Sequence, residues 1–194
     1  MKNRLLIVAD FINEIVHPDG LSGKQNADRV ARMHTMEKAN QAITWAREQG
    51  VAIAHVRVGF SEGYPECPKR SPMFGRAPEF KAFQLDTWGT EFHEKMDVQP
   101  QDLIVTKHRV SALYATNLEP YLRAHKIEHV ILCGVSTTYV VESTARELHD
   151  RDYQVTIIGD ACNAGTESSH QSSLDALSRF CEIIEVKSLG VIHE

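Results

Sequence analysis

Short apolar runs and segments of helical period alternate along this chain from end to end. Arg4–Ala9 is a continuous apolar run of strand length, as in a strand buried on both faces. In residues 28–49, Val30, Met33, Met36, Ile43 and Ala46 recur at helical spacing, and Gly50 reads as the stop. Residues 51–58 form a second strand pattern and 103–106 a short third. Leu118, Tyr121 and Leu122 share one face of a helix over 116–125. A fourth strand at 129–133 leads into a helix over 138–150. The β-branched stretch 153–159 is a fifth strand, 167–180 a further helix, and 182–186 a sixth strand.

Strands alternating with helices predict a three-layer α/β/α sandwich with a mostly parallel six-stranded sheet and right-handed crossovers, a Rossmann-like arrangement. Ligands in such sheets sit beyond the carboxyl ends of the strands. Those ends fall at Asp10, at Arg57 and Val58, at Lys107, and at residues 134–140. Residues 59–88 hold Gly, Pro and charge with little periodicity, longer than an ordinary connection, and read as a lid-like loop on a single domain spanning 1–194.

Composition narrows the function classes. The 194 residues are 42% hydrophobic and 24% charged, with a formal net charge of −5. No basic excess points to nucleic acid or to an anionic membrane, and no apolar run is long enough to span a bilayer. The four cysteines, Cys67, Cys133, Cys162 and Cys181, are scattered without a Cys-x-x-Cys, as in a cytoplasmic protein with reduced thiols. Ten histidines form no His-x-His or His-Glu-x-x-His, so no metal site and no cofactor are expected.

Two charges stand out by position. Asp10 follows Leu5-Leu-Ile-Val-Ala9, and Lys107 follows Leu103-Ile-Val-Thr106. A charge at a buried strand end costs desolvation unless it is partnered, and a lysine facing an aspartate would satisfy both. Either residue alone could equally be a loop or helix cap. The segment Gly134-Val-Ser-Thr-Thr-Tyr-Val140-Val-Glu-Ser-Thr-Ala145 reads as a strand, a tight turn and a helix start, a common setting for a nucleophile.

That segment resembles the nucleophile turn of the isochorismatase-like (cysteine hydrolase) family, roughly G-V-x-T-x-x-C-V-x-x-T-A. Val140 stands where the family has its cysteine. The resemblance extends in order along nearly the whole chain. Asp10 matches the catalytic Asp and Lys107 the catalytic Lys. Ser111-Ala-Leu-Tyr114 with Thr116 and Leu118 resembles the segment after that lysine, Asp86-Thr-Trp-Gly89 the loop with an aromatic wall, and Gly159-Asp-Ala161 the end of strand five. Ile12 departs from the family's usual Gln.

The resemblance implies an isochorismatase-like hydrolase acting on a small, anionic substrate, and a homo-oligomer (dimer or tetramer). It implies a non-proline cis peptide before Ser136, with the Ser136 and Val140 N–H groups turned to the pocket. Without a thiol at 140, covalent amide hydrolysis is disfavoured, and acid–base hydrolysis by Asp10 and Lys107 is left, with isochorismate or a similar enol ether as the example. The other substrate-binding candidates are Trp88, Ser136, Tyr114 and Arg57. Lys69, Arg70 and Arg76 on the long loop could recognise carboxylates. The rival expectations are a binding protein without turnover on the same fold, and an amidase that uses another thiol.

Overall fold

The computed structural model describes residues 3–191. Six parallel strands form one sheet in the order β3-β2-β1-β4-β5-β6. They are β1 (Arg4–Ala9), β2 (Ala52–Val58), β3 (Leu103–Lys107), β4 (His129–Val135), β5 (Gln154–Asn163) and β6 (Glu182–Ile184). The helices are α1 (Asn13–Val16), α2 (Gly23–Arg32), α3 (Thr35–Glu48), α4 (Ala77–Phe80), α5 (Leu118–Ala124), α6 (Glu142–His149) and α7 (Glu167–Leu177). The expected α/β sandwich with a parallel sheet is present. Its strand order reverses between β1 and β4, the place where open α/β sheets leave a crevice for ligands.

Every residue of β1 and of β4 is buried, which explains why both read as unbroken apolar runs. One large core forms around them, from Leu6 and Ile7 to Val130, Ile131 and Leu132, roofed by Ala39, Ile43, Leu122 and Leu148 of the helices. Among the described residues no helix is long and apolar enough to cross a membrane.

Three elements differ from the sequence expectation. The helix expected over 28–49 is two helices, because His34 takes a left-handed conformation (φ 54°) between α2 and α3. Helix α2 also starts earlier, at Gly23, where its polar residues gave no apolar period. Strand β5 does not end at Gly159. It runs on to Asn163 after a register shift between Leu132 and Gly134 on β4, which lengthens the sheet beside the turn. The long 59–88 segment is built on a second apolar cluster that joins Phe60, Tyr64, Cys67 and Phe74 to Ile12 and Val58. Ile12 is fully buried there and bridges to Phe92, so this position is part of the packing of that segment.

Candidate active site

Strand β1 ends in Asp10, whose N–H donates to the Val56 carbonyl at 2.8 Å and extends the ladder by one rung. Asp10 itself is left-handed (φ 61°), a conformation that Asp tolerates better than most residues and that turns the chain out of the sheet. Lys107 closes β3 opposite Val58. Strand β2 lies between, so the two backbones are about 10 Å apart, and the lysine side chain reaches across the end of β2. Its Nζ lies 2.9 Å from Asp10 Oδ2 and donates to the Arg109 carbonyl at 3.2 Å. The pair that the sequence suggested is therefore formed, and both members are almost wholly buried.

Burial pushes the Asp10 carboxyl upward, against the opposing pull of the Lys107 ammonium and of a backbone hydrogen bond at Val58. Among the described residues three buried side-chain oxygens lack a hydrogen-bond partner: Asp10 Oδ1, Glu14 Oε1 and Tyr64 Oη. Of these three residues only Asp10 lines the large cavity beside the turn. One carboxyl oxygen thus pairs with Lys107, and the other is buried without a hydrogen-bond partner.

The turn lies at the end of β4. Gly134 pairs with Ala9 across the sheet, and a Cβ there would sit 2.6 Å from the Ala9 carbonyl oxygen. Only glycine lets β4 pass this close to the residue before Asp10. The Val135–Ser136 peptide is cis, as the resemblance implied. A π-helical turn, Thr137–Val141, then runs directly into α6. Thr137 is fixed from below, its hydroxyl 2.8 Å from Nδ1 of buried His170 on α7. Ser136 and Thr138 share a hydrogen bond at 2.7 Å, and both line the cavity with Val140. Val140 is 1% exposed.

The cavity has a volume of about 460 Å³ and two unlike walls. Val58, Phe74, Phe83 and Val110 form the apolar one. Ser22 before α2, Gln25 and Asn26 on it, Ser136 and Thr138 of the turn, and Thr166 and Ser169 at the start of α7 form the polar one. Asp10 and Lys107 are its only formal charges among the described residues. Met73, Phe74 and Phe83 of the 59–88 segment also line the cavity.

Of the seven residues singled out in the sequence, Asp10, Lys107, Val140 and Ser136 meet here. Trp88, Tyr114 and Arg57 do not line the cavity. Trp88 begins a short helical turn whose carbonyl is held by Asn13, and its ring meets His17 edge-on while 45% exposed. Around Tyr114, the chain buries Ala112 and Leu113 against α6, where the Thr144 hydroxyl accepts from the Ala112 N–H, and leaves the tyrosine outside at 59% exposure. Arg57 neighbours cavity-lining Val58 on β2, so it points to the other face, and its Nε donates to Thr106. The loop cations also stay away. Lys69 and Arg70 are exposed, and Arg76 pairs with Glu79 and lies over Phe80.

The remaining thiols are poorly placed. All four are buried and none lines the cavity. Burial raises Cys67 and Cys133 and carries Cys162 up to about 12. No group of three or more His, Cys, Asp or Glu side chains among the described residues could hold a metal ion. The residues that sequence reasoning missed are those of the polar wall. Thr166-x-x-Ser169, a capping box directly after strand five, was the available signal for α7.

The chain has relatives that share this layout. The isochorismatase domain model matches residues 4–188. An uncharacterized isochorismatase family protein, YecD of Escherichia coli O157:H7, is 30% identical over 98% of this chain and 95% of its own length. The ureidoacrylate amidohydrolase RutB of Pantoea ananatis is 25% identical, over 94% of this chain and 82% of its own. The crystal structure of an isochorismatase-like hydrolase from Alkaliphilus metalliredigens superposes with a TM-score of 0.84 at 22% identity, covering 99% of this chain and 100% of that one. With the domain matched over nearly its whole length, this chain belongs to the isochorismatase family of hydrolases.

Proposed function

We propose that this protein hydrolyses a small molecule by acid–base chemistry, with Asp10 as general acid, Lys107 as its orienting partner, and no covalent intermediate. One observation carries the reading. A buried carboxyl with one unpartnered oxygen belongs to the wall of a cavity in which a valine stands at position 140. The raised proton affinity of Asp10 suits a donor better than a base. Valine offers no atom that can attack a carbonyl, and the four thiols lie outside the cavity.

An enol ether fits this equipment. Asp10 gives its proton to the terminal carbon of the C=C bond, and the ether carbon becomes an oxocarbenium ion. Water adds to that carbon and returns a proton to the Asp10 carboxylate. The hemiketal then collapses to an alcohol and a carbonyl compound. The N–H groups of Ser136 and Val140 serve as donors to developing or resident negative charge, a role that does not depend on the side chain at 140. Isochorismate is the example suggested by the resemblance. Its two carboxylates meet a wall whose one cation is already paired, and the loop cations expected to receive them lie outside the cavity. A less charged enol ether therefore suits this site better than a dicarboxylate.

The valine at 140 also supports a second reading, a binding protein that keeps the pocket without turnover. We further propose a homo-oligomer, by family resemblance, and a lid role for the 59–88 segment. The deciding experiment is a turnover screen with isochorismate, uncharged and singly charged enol ethers, and amides, with and without prior alkylation of thiols. Release of the carbonyl product from an enol ether, unaffected by alkylation, is expected. Amide hydrolysis that alkylation abolishes would overturn the acid–base reading. Tight binding of the panel with no product would favour the second reading.

A further inference from the structure

The chain around Lys107 is bonded closely to the 59–88 segment. The Gly59 N–H donates to the Lys107 carbonyl at 3.0 Å, which continues the β2–β3 ladder into that segment. His108 Nδ1 donates to the Gly59 carbonyl at 2.6 Å, and its ring stacks on Phe60. The next residue, Arg109, is bonded in two directions. Its carbonyl accepts from Lys107 Nζ at 3.2 Å. Its guanidinium donates through one nitrogen, Nη1, to the Glu66 carbonyl at 2.9 Å and to the His108 carbonyl at 2.6 Å.

Both acceptors of this half-buried cation are carbonyls. The Glu66 carboxylate is turned instead to Ser61, whose N–H and hydroxyl both donate to it. The Arg109 side chain thus joins main chain to main chain, Glu66 of the segment to His108 of the loop after β3. The joint lies directly behind the cavity. Val58 and Val110, the neighbours of Gly59 and Arg109, line the cavity, as do Phe74 and Phe83 farther along the segment, whereas Arg109 does not. The segment is closed on itself by the Phe60 N–H on the Phe83 carbonyl and the Leu85 N–H on the Phe60 carbonyl, both at 2.8 Å.

We infer that Arg109 is a positioning residue: its side chain pins the 108–110 loop to the 59–88 segment, and its carbonyl thereby holds the Lys107 ammonium against Asp10. This rests on the reading of Asp10 and Lys107 as the acid and its orienting partner. Lys107 reaches across the end of β2 on a flexible four-carbon stem, so its ammonium needs a second fixed acceptor to stay in one place. Asp10 Oδ2 is the first and the Arg109 carbonyl is the second. When the segment lifts, the Glu66 carbonyl leaves Nη1 and the loop carrying that second acceptor is released. The acid is fully aligned only while the segment is seated.

Two variants separate this from plain anchoring. Arg109→Met keeps an unbranched stem and loses both donations. Arg109→Lys offers one nitrogen with several protons, as Nη1 does, and should restore them. The segment is read by the alkylation rate of Cys67, which is buried in it with Sγ donating to the Phe74 carbonyl. Burial raises the Cys67 thiol and the Arg109 charge opposes it, so loss of that charge alone would slow alkylation, and a faster rate reports exposure. The lysine is read by the NMR resonance of its buried ammonium, assigned by its absence in Lys107→Met. In Arg109→Met, Cys67 alkylation and exchange of the Lys107 ammonium hydrogens with water should each quicken about tenfold, the worth of a hydrogen bond to a charged group. Arg109→Lys should return both to near the wild-type rate. On the best substrate of the screen, kcat should fall in Arg109→Met with KM little changed, since Arg109 lies outside the cavity. In the wild type, low urea should speed both rates with one common slope, a measurement that needs no variant to fold. Faster Cys67 alkylation with unchanged Lys107 exchange would make Arg109 an anchor only and overturn the inference. So would no change in either rate, unequal urea slopes, or a lysine variant that restores nothing. Both rates are read without turnover, so the two readings can fail separately. Coupled rates in a protein with no turnover would sink the enzymatic reading alone. Asp10-dependent turnover that Arg109→Met leaves unchanged would sink this one alone.

Discussion

Replacing Asp10 by asparagine and by alanine should separate its chemistry from its structural role. An acid that donates a proton is neutral before it reacts. Asparagine is the isostere of that neutral acid: its carbonyl can accept from Lys107 Nζ in place of Oδ2, and its amide nitrogen takes the unpartnered place of Oδ1. Asp10→Asn should therefore cost about 1 kcal/mol or less. Asp10→Ala strands the buried Lys107 ammonium with the Arg109 carbonyl as its one remaining hydrogen-bond partner from this site. Leaving a buried donor without its acceptor costs about 1–3 kcal/mol, or roughly 2–12 °C in Tm for a chain of this length. Both variants lose the transferable proton, so kcat should fall about 10²–10⁴-fold in each. Thermal unfolding and product release on the best substrate of the screen are the assays. In the wild type, kcat should fall as pH rises through the raised Asp10 value, because the acid form is lost. Asp10→Asn with a tenth or more of wild-type kcat would refute the assignment. Asp10→Asn as unstable as Asp10→Ala would refute the neutral acid, since it would mean that Lys107 needs a full negative charge beside it.

Three further perturbations test neighbouring parts of the argument. Val140→Cys is a near-isosteric change at a buried helix start and should cost about 1 kcal/mol or less. Its thiol should titrate below the usual 8.5, as thiolate absorbance would record, and an inert thiol would place the nucleophile position elsewhere. Gly134→Ala drives a Cβ to 2.6 Å from the Ala9 carbonyl, so about 1–3 kcal/mol should be lost, with kcat falling as Asp10 shifts; unchanged kcat and Tm would show that the close approach is not needed. His129, buried beside Thr156, is lowered to about 4 by burial and by Arg4. The unfolded chain binds that proton first, so its contribution is full above about 6.5 and is lost as pH falls towards 4, about 3 kcal/mol at most. His129→Gln should flatten the stability profile over that interval, and an unchanged slope would assign the acid sensitivity to other groups.

The parts of the site that were legible in the sequence are those where a rule of composition is broken. Asp10 and Lys107 are charges that close apolar runs, and such a charge demands a partner wherever the fold puts it. The turn at Gly134 could be read because the apolar run 129–133 gives way to a glycine and a polar helix start. The polar wall broke no such rule. Ser22, Gln25 and Asn26 lie on a helix whose face is nearly all polar, so no apolar period announced it, and the break at His34 needs a left-handed residue that is not glycine. Trp88 and Tyr114 misled for a related reason. Aromatic residues near a site suggest a wall, but their direction is decided by local backbone bonds, here from Asn13 to the Trp88 carbonyl and from the Ala112 N–H to the Thr144 hydroxyl. Such bonds join positions 75 and 32 residues apart, beyond any local pattern.

The cost of the Asp10–Lys107 pair bears on whether this cavity works. Whichever atom holds the proton, a buried carboxyl beside a buried ammonium is commonly no more stabilising than apolar side chains of the same volume, and an oxygen without a partner adds a further penalty. Val58, Val110 and Val140 line the same cavity as the pair. Stability alone therefore gives no reason for a carboxyl in a left-handed conformation with one oxygen unpartnered. Such local costs gather at sites where a ligand completes the bonding. In the proposed reading the valine at 140 takes covalent chemistry from this set and leaves an acid and a cation to orient it in an otherwise uncharged cavity. On the proposed reading, a site with that content moves a proton onto a bound molecule without needing a sulfur.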